Sequence, residues 1–581
     1  MLPGLGALHR PIGRLIGLGL CFVAGSQFSY AQSDSVLQQQ QQIIQEQQQR
    51  LEDQRKKLDQ SRHHQNIEIE NPNSFSQAEG GPCFDINHIV LRGADHLPAK
   101  DQRQISQPFI GQCIDLAKIN QLLKHISDWY FERGYVTSRA YVSAQDLASG
   151  NLEITVVEGI IESVDLANPE AKVNLKTAFG QFSGRLLNLR DIEQGLEQIN
   201  RLQSNQAKMD LVPGSKPGQT TIQVKVEQGK TWQSRLSRDN SGSESTGKYM
   251  NGLLLSNDNS LNLNDYAYLS LQKDSEPSGA GKLSESIAGH WDMPFGYWLL
   301  GVDVSYYKYL NTINNFAGQF ESSGNGSSQK LFAQKTLFRN QTSKWKAKLQ
   351  LERKNSRNYI ENVKLASSRS LGIASINLSF DTVSADKSQW LAAVQYDRGL
   401  KSFGAPNDNV RSHQQAPKAQ FNKLSLNLDW HKKTSIKLYQ TDIPVVLSSG
   451  LKLQHSPDIL FGSEQISVGS QYTVRGYKGS SIAASSGGYW RNNLSLELAT
   501  PWAGDYLKKI IPSVSLDMGA VKDRQHFYGA GEYVQLKGWS LGLALHSQYY
   551  SLNIIYAEPF GHPSWMQLEP QQWHISLNIN Y

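Results

Sequence analysis

The 581-residue chain is poor in cysteine, with three, and poor in charge, with 19% Asp, Glu, Lys and Arg. It lacks the run of roughly eighteen apolar residues that a spanning helix requires, so no such helix is expected in the mature chain. A net charge of +6 is small for this length and argues against nucleic acid as a partner. No phosphate-binding glycine loop, HExxH or G-x-S-x-G is present, so the common signatures of nucleotide hydrolases, zinc proteases and serine hydrolases are missing. His63-His64 is a bare pair in a polar stretch, not a metal site. No catalytic residue, metal or cofactor is implied.

What is present points to export and to strands. His9, Arg10 and Arg14 precede a short apolar segment, Leu15 to Ala24, and Ser29-Tyr30-Ala31 forms a small-x-small site. This pattern predicts a signal peptide over 1–31, cut after Ala31. Cys21 leaves with it. Cys83 and Cys113 remain as an even pair in an oxidising compartment, so one disulfide is expected; zinc would need more ligands. Hydrophobic residues are only 39%, while Tyr (24), Trp (12) and Gly (47) are plentiful, which suits a β protein with apolar residues spread in alternation.

The segment 32–62 is rich in Gln, Glu, Arg and Lys, and Leu37, Ile44, Leu51 and Leu58 recur every seven residues. A helix over about 34–62 with one narrow apolar stripe reads as a solvated helix, a weak coiled coil, or a polar helix lodged in a polar cavity. Residues 63–82, with Asn, Pro, Gly and Ser, read as a flexible linker. Residues 83–159 and 160–229 then repeat one order, β-α-α-β-β, each ending near a Val-Glu strand (VVEG, KVEQG). In the first unit Asp115 and Gly134 bound a helix whose apolar positions run Ile119, Leu122, Leu123, Ile126, Trp129 and Tyr130. From 230 to 581 the pattern becomes strict alternation. Trp573, Ile575, Leu577, Ile579 and Tyr581 face one way, and His574, Ser576, Asn578 and Asn580 the other. A soluble sandwich also alternates, but the export signal, the aromatics at strand ends and the terminal aromatic favour a transmembrane antiparallel barrel of about 16 strands. The polar stretches SSGNGSSQ (322–329) and 401–420 are expected as outer loops.

This order resembles the two-partner-secretion transporters (the TpsB family, with haemolysin, filamentous-haemagglutinin and contact-dependent-inhibition types), and the two repeats resemble their POTRA domains. VRGY at 474–477 is similar to the family's inward loop motif, SLDMG at 515–519 to its barrel-strand motif with Leu516 where Phe is frequent, and MPFGYW at 293–298 to an early strand element. The resemblance implies a mainly β protein with a plug helix (32–62), two periplasmic modules and a barrel. It implies that Val474, Arg475, Gly476 and Tyr477 form a loop inside the lumen, with Arg475 paired to Asp517 beside Gly519. The amphipathic Tyr477 side chain is expected to pack against the wall with its hydroxyl left wet. The Cys83/Cys113 pair fits the first POTRA domain. The expected function is recognition and export of a large β-helical exoprotein (a toxin, haemolysin or adhesin, with the contact-dependent-inhibition type favoured) through its N-terminal secretion domain. Further implied partners are outer-membrane lipid and, through Tyr581, the barrel assembly machinery, for a monomer. The rival readings are a barrel insertase, which usually carries more repeats and no plug helix, a diffusion porin and an outer-membrane enzyme.

Overall fold

The architecture comes from a computed structural model that describes residues 43, 45, 48–53 and 81–581, apart from 278, 316–317, 366, 409–415, 439–440, 525–527, 529–531, 567 and 569–570. The signal segment, most of the 34–62 helix and nearly all of the linker lie outside the described residues. No described helix is long and apolar enough to cross a membrane; the crossing is made by strands.

In the first module a helix, Leu116–Glu132, begins at Asp115, whose side chain accepts from Lys118 N–H at 2.8 Å. It stops at Gly134, where φ of +88° suits a residue without Cβ. Its buried face (Ile119, Leu122, Leu123, Ile126, Tyr130) packs on a three-stranded sheet ordered His88–Arg92, Asn151–Val157, Arg139–Val142, the first two parallel. A feature that the apolar pattern does not announce is a second small sheet, Phe84–Ile86 with Gln112–Ile114, beside which Cys83 and Cys113 are disulfide-bonded with Cα atoms 5.3 Å apart.

The second module repeats this topology with strands Ile160–Leu166, Gln219–Gln228 and Asn205–Pro213. Its first helix is only Leu175–Phe179, capped by Asn174 and stopped at Gly180. Its second helix is Leu189–Asn200. Val136 from the first module sits in the second module's core, and Leu189 N–H donates to Gly134 O at 2.8 Å, so the modules are fused through a shared apolar edge.

Sixteen antiparallel strands then close a barrel. It seals where Arg235–Asp239 pairs with Ser576–Asn580. Asn240 extends that seam: its side chain donates to Trp573 O at 2.8 Å and accepts from Ile575 N–H at 2.9 Å. The alternation runs as lipid contact demands, with Trp573, Ile575 and Leu577 exposed outward and His574 buried inward. One expectation is corrected. Residues 322–329 are not a loop but the middle of a 22-residue strand, Gly318–Arg339. Their glycines are packing devices: a Cβ on Gly324 would lie 2.6 Å from the Tyr309 ring, and one on Gly326 2.5 Å from Tyr307. Rings on the neighbouring strand cover the two glycines and hold them in the sheet.

Candidate functional site

The loop between the strands Thr441–His455 and Gly487–Leu496 turns into the lumen and forms a short hairpin, Ile466–Val468 with Ile482–Ala484. VRGY lies between these two strands. Arg475 and Asp517 are both buried, with Nε 2.5 Å from Oδ2 and Nη2 2.7 Å from Oδ1, and the Arg475 backbone N–H adds a contact to Oδ2 at 3.2 Å. This is a two-pronged guanidinium–carboxylate pair, the geometry that Lys cannot reproduce. The wall makes room for it. A Cβ on Gly538 would sit 1.9 Å from Arg475 O, and one on Gly476, at φ +93°, 2.6 Å from the Glu558 carbonyl carbon. Beside Asp517, a Cβ on Gly519 would meet Val468 at 2.6 Å. Three glycines thus permit the loop to press backbone-close against the wall.

Tyr477 departs from the expected wet hydroxyl. It is fully buried, and its hydroxyl lies 2.7 Å from both the Lys537 and Gly561 carbonyl oxygens while accepting from Lys537 N–H at 3.1 Å. The ladder between the strands Tyr533–His546 and Tyr550–Gly561 shifts register between Lys537 and Gly538, beside these two carbonyls. Val474 joins Ile466, Val468 and Ile482 against inward-facing Val521, Val534 and Leu536. The lumen is therefore not polar throughout: on this side a small apolar core backs the ion pair. A second charged anchor holds the loop's start, where buried Glu464 meets Lys354 at 2.8 Å and Lys423 at 3.0 Å. No motif marks Glu464 in the sequence; only the folded lumen reveals it.

The described part of the N-terminal helix lies against this loop. Gln45 donates to Gly462 O at 3.2 Å, Gln49 donates to Ser467 O at 3.3 Å and accepts from the Ser470 hydroxyl at 2.9 Å. Arg50 donates to Ser241 O at 3.1 Å, and Glu52 lies 3.6 Å from Lys452. Ile43 is buried against Tyr307 and Tyr309. Of the heptad stripe, Leu51 is half-buried; Leu37, Ile44 and Leu58 lie outside the described residues.

At the barrel's other end, MPFGYW does something its pattern did not reveal. Gly296 N–H donates to Thr177 O at 2.9 Å, and its carbonyl accepts from the Gln198 side chain at 2.9 Å. The Tyr297 hydroxyl binds Asp191, and Arg201 pairs with Asp292. Arg339, whose side chain is 2% exposed, reaches Glu197 at 3.0 Å, and Lys344 reaches the same carboxylate at 2.7 Å. The second module is thereby seated on the barrel rim.

Two fused modules, the second seated on the barrel rim, and a strand-crossed wall with an inward, ion-paired loop define an outer-membrane transport barrel with periplasmic POTRA domains. The chain belongs to the haemolysin secretion/activation family ShlB/FhaC/HecB, whose model matches residues 218–545. A ShlB-type POTRA model matches 84–159 and a further POTRA model 160–213. The chain is 31% identical to the outer membrane transporter CdiB of Dickeya dadantii over 86% of its own length and 87% of the relative's. It is 26% identical to the hemolysin transporter protein HpmB of Proteus mirabilis over 83% and 81%. Among solved structures, CdiB from Escherichia coli superposes with a TM-score of 0.82 at 28% identity, covering 94% of this chain and 98% of that one. The protein is an outer-membrane transporter that exports an exoprotein by two-partner secretion.

Proposed function

We propose that export is gated by the N-terminal helix and directed by the lumenal loop. The division is signal peptide 1–31, plug helix 32–62, linker 63–82, POTRA modules 83–159 and 160–229, and barrel 230–581. The observation that carries the reading is the polar seat of the helix. Gln45 and Gln49 bond loop backbone and a hydroxyl rather than an apolar socket, and contacts of that kind exchange for water at little net cost. The plug withdraws, the linker lets it move, and the exoprotein threads the lumen unfolded. Arg475–Asp517 keeps the loop on the wall meanwhile, because loss of either partner leaves a buried charge. Folding of the exoprotein outside supplies direction, since neither ATP nor a potential is available there.

The secretion domain of the exoprotein binds the first module, whose edge strands His88–Arg92 and Arg139–Val142 carry the exposed apolar residues Val90 and Tyr141; an added strand would read them. Likeness to the CdiB proteins favours a partner of the contact-dependent-inhibition type. The chain acts as a monomer without enzymatic activity, and Tyr581 directs it to the barrel assembly machinery. The test is surface exoprotein in cells with wild type, Arg475→Ala or a deletion of 34–62, with folding checked by heat-modifiable mobility. Export should fall at least tenfold in Arg475→Ala with the barrel assembled. Export that persists unchanged refutes the latch, and failure of other barrels to insert would point to an insertase.

A further inference from the structure

We propose that the outer wall directly behind the lumenal loop carries a binding site for a phosphorylated, acylated lipid of the outer leaflet. A cleft of about 700 Å³ lies across the strands Thr441–His455, Gly487–Leu496, Lys509–Lys522 and Tyr533–His546. Its lining belongs largely to the lipid-facing side. In one row Leu451, Trp490, Met518 and Lys537 stand opposite one another in register, and in the row above Leu453, Gly488, Ala520 and Gln535 do the same. Inward positions on the same strands, Asp517, Val521, Val534 and Leu536, are buried in the lumen, which fixes the direction of the rows. Gly488 and Ala520 make a low floor, with Leu453, Trp490 and Met518 as an apolar wall wide enough for an acyl chain.

The cleft is basic at two levels: Lys522 and Arg524 line it toward the outer loops, and Lys537 lines it lower, in the row of Trp490 and Met518. Lys522 is paired with Glu532 at 2.5 Å. Among the described residues Arg524 is held by neutral carbonyl oxygens, Ser456 at 3.1 Å and Pro457 at 3.2 Å, and these contacts do not compensate its charge. Lys537 stands on the same face as lipid-facing Trp539 and Leu541, a position that suits a cation only near the headgroup level. Two cations above an apolar trough and a third at its side, against one carboxylate, match a lipid with phosphate at its head. The cleft is continuous with the lipid-facing belt, so the occupant arrives laterally, from the membrane.

The site shares its backbone with the latch. Met518 lies between Asp517 and Gly519 in sequence, and the Lys537 backbone is bound by the Tyr477 hydroxyl. A lipid held here stiffens the wall on which Arg475 rests.

The probe is native mass spectrometry of the full-length, detergent-solubilised protein titrated with diphosphoryl lipid A, with phosphatidylethanolamine as the zwitterionic comparison. Wild type should retain lipid A at least tenfold more strongly than phosphatidylethanolamine. Lys537→Glu with Arg524→Glu should abolish that preference, Ala520→Trp should block the trough without altering charge, and Lys364→Glu, an exposed charge reversal in another outer hairpin, should leave it intact. Heat-modifiable mobility confirms that each variant is folded. Equal retention of both lipids, or retention of lipid A by folded Lys537→Glu/Arg524→Glu and Ala520→Trp proteins, overturns the proposal.

Discussion

The two periplasmic modules share one topology and use their surfaces in opposite ways. The second turns its charges inward to the barrel rim: Arg339 at 2% and Lys344 at 9% side-chain exposure face Glu197, and Arg201 meets Asp292. The first leaves its pairs in solvent, as with Arg92 and Glu153 at 67% and 42%. Apolar exposure is reversed as well. Val90, Ile110, Leu116 and Tyr141 are open on the first module, whereas among the described residues of the second only Ile160, at its junction, is a large exposed apolar side chain. One fold thus serves once as a foot and once presents an open apolar surface. The difference lies in which side chains face outward, not in the elements.

The largest effect should come from undocking the foot. Arg339→Ala with Lys344→Ala removes two cations that Glu197 faces and should cost about 3–5 kcal/mol of docking. Limited proteolysis should then cut near 229–232 while the barrel keeps its heat-modifiable mobility. Arg92→Ala in the first module should change its stability by about 0–1 kcal/mol. Similar losses in both modules would erase the distinction.

Next in size is the staple. Cys83→Ser with Cys113→Ser opens a loop of 30 residues and should cost the first module about 3 kcal/mol. Hydrogen exchange should rise in the helix Leu116–Glu132 before it rises in Leu189–Asn200. A uniform rise would mean that the modules, fused through Val136, unfold as one.

The smallest effect concerns acid. Burial alone would raise the Glu158 carboxyl, but hydrogen bonds from Tyr130 and His96 outweigh it and hold the group below the usual carboxylate range. A depressed folded value gives stability that is present above about pH 4.3 and lost as pH falls through the folded value. Glu158→Gln should therefore cost about 1–2 kcal/mol at neutral pH and flatten the acid limb of the first module's unfolding. An unchanged limb in the variant contradicts that role.

How much of this was legible depended on whether the signal was periodic. The alternation of Trp573 to Tyr581 and the helical spacing of Ile119 to Tyr130 are local patterns set by the side-chain directions of strand and helix, and they could be read directly. Arg475 and Asp517 lie far apart with no spacing rule between them; only the resemblance of their motifs put them on one page. Contacts formed across the fold left no trace. Glu197 looks like any exposed helix residue, and Val521, Val534 and Leu536 contradict a uniformly polar lumen only once the loop is seated on them. Residues 322–329 misled because Gly and Ser usually mark loops, whereas here the rings of Tyr307 and Tyr309 on the next strand fill the missing volume.

The central claim is that the helix must leave its seat on the lumenal loop before the exoprotein can pass. Its most direct test is a tether: Gln49→Cys with Ser470→Cys, joined by a short bis-methanethiosulfonate crosslinker in assembled outer membrane, with surface exoprotein measured before and after reductive release of the link. Export should stay near background while the tether holds, return to the wild-type level after release, and be unaffected by the crosslinker in either single variant. Undiminished export with the tether verified on the gel would contradict it.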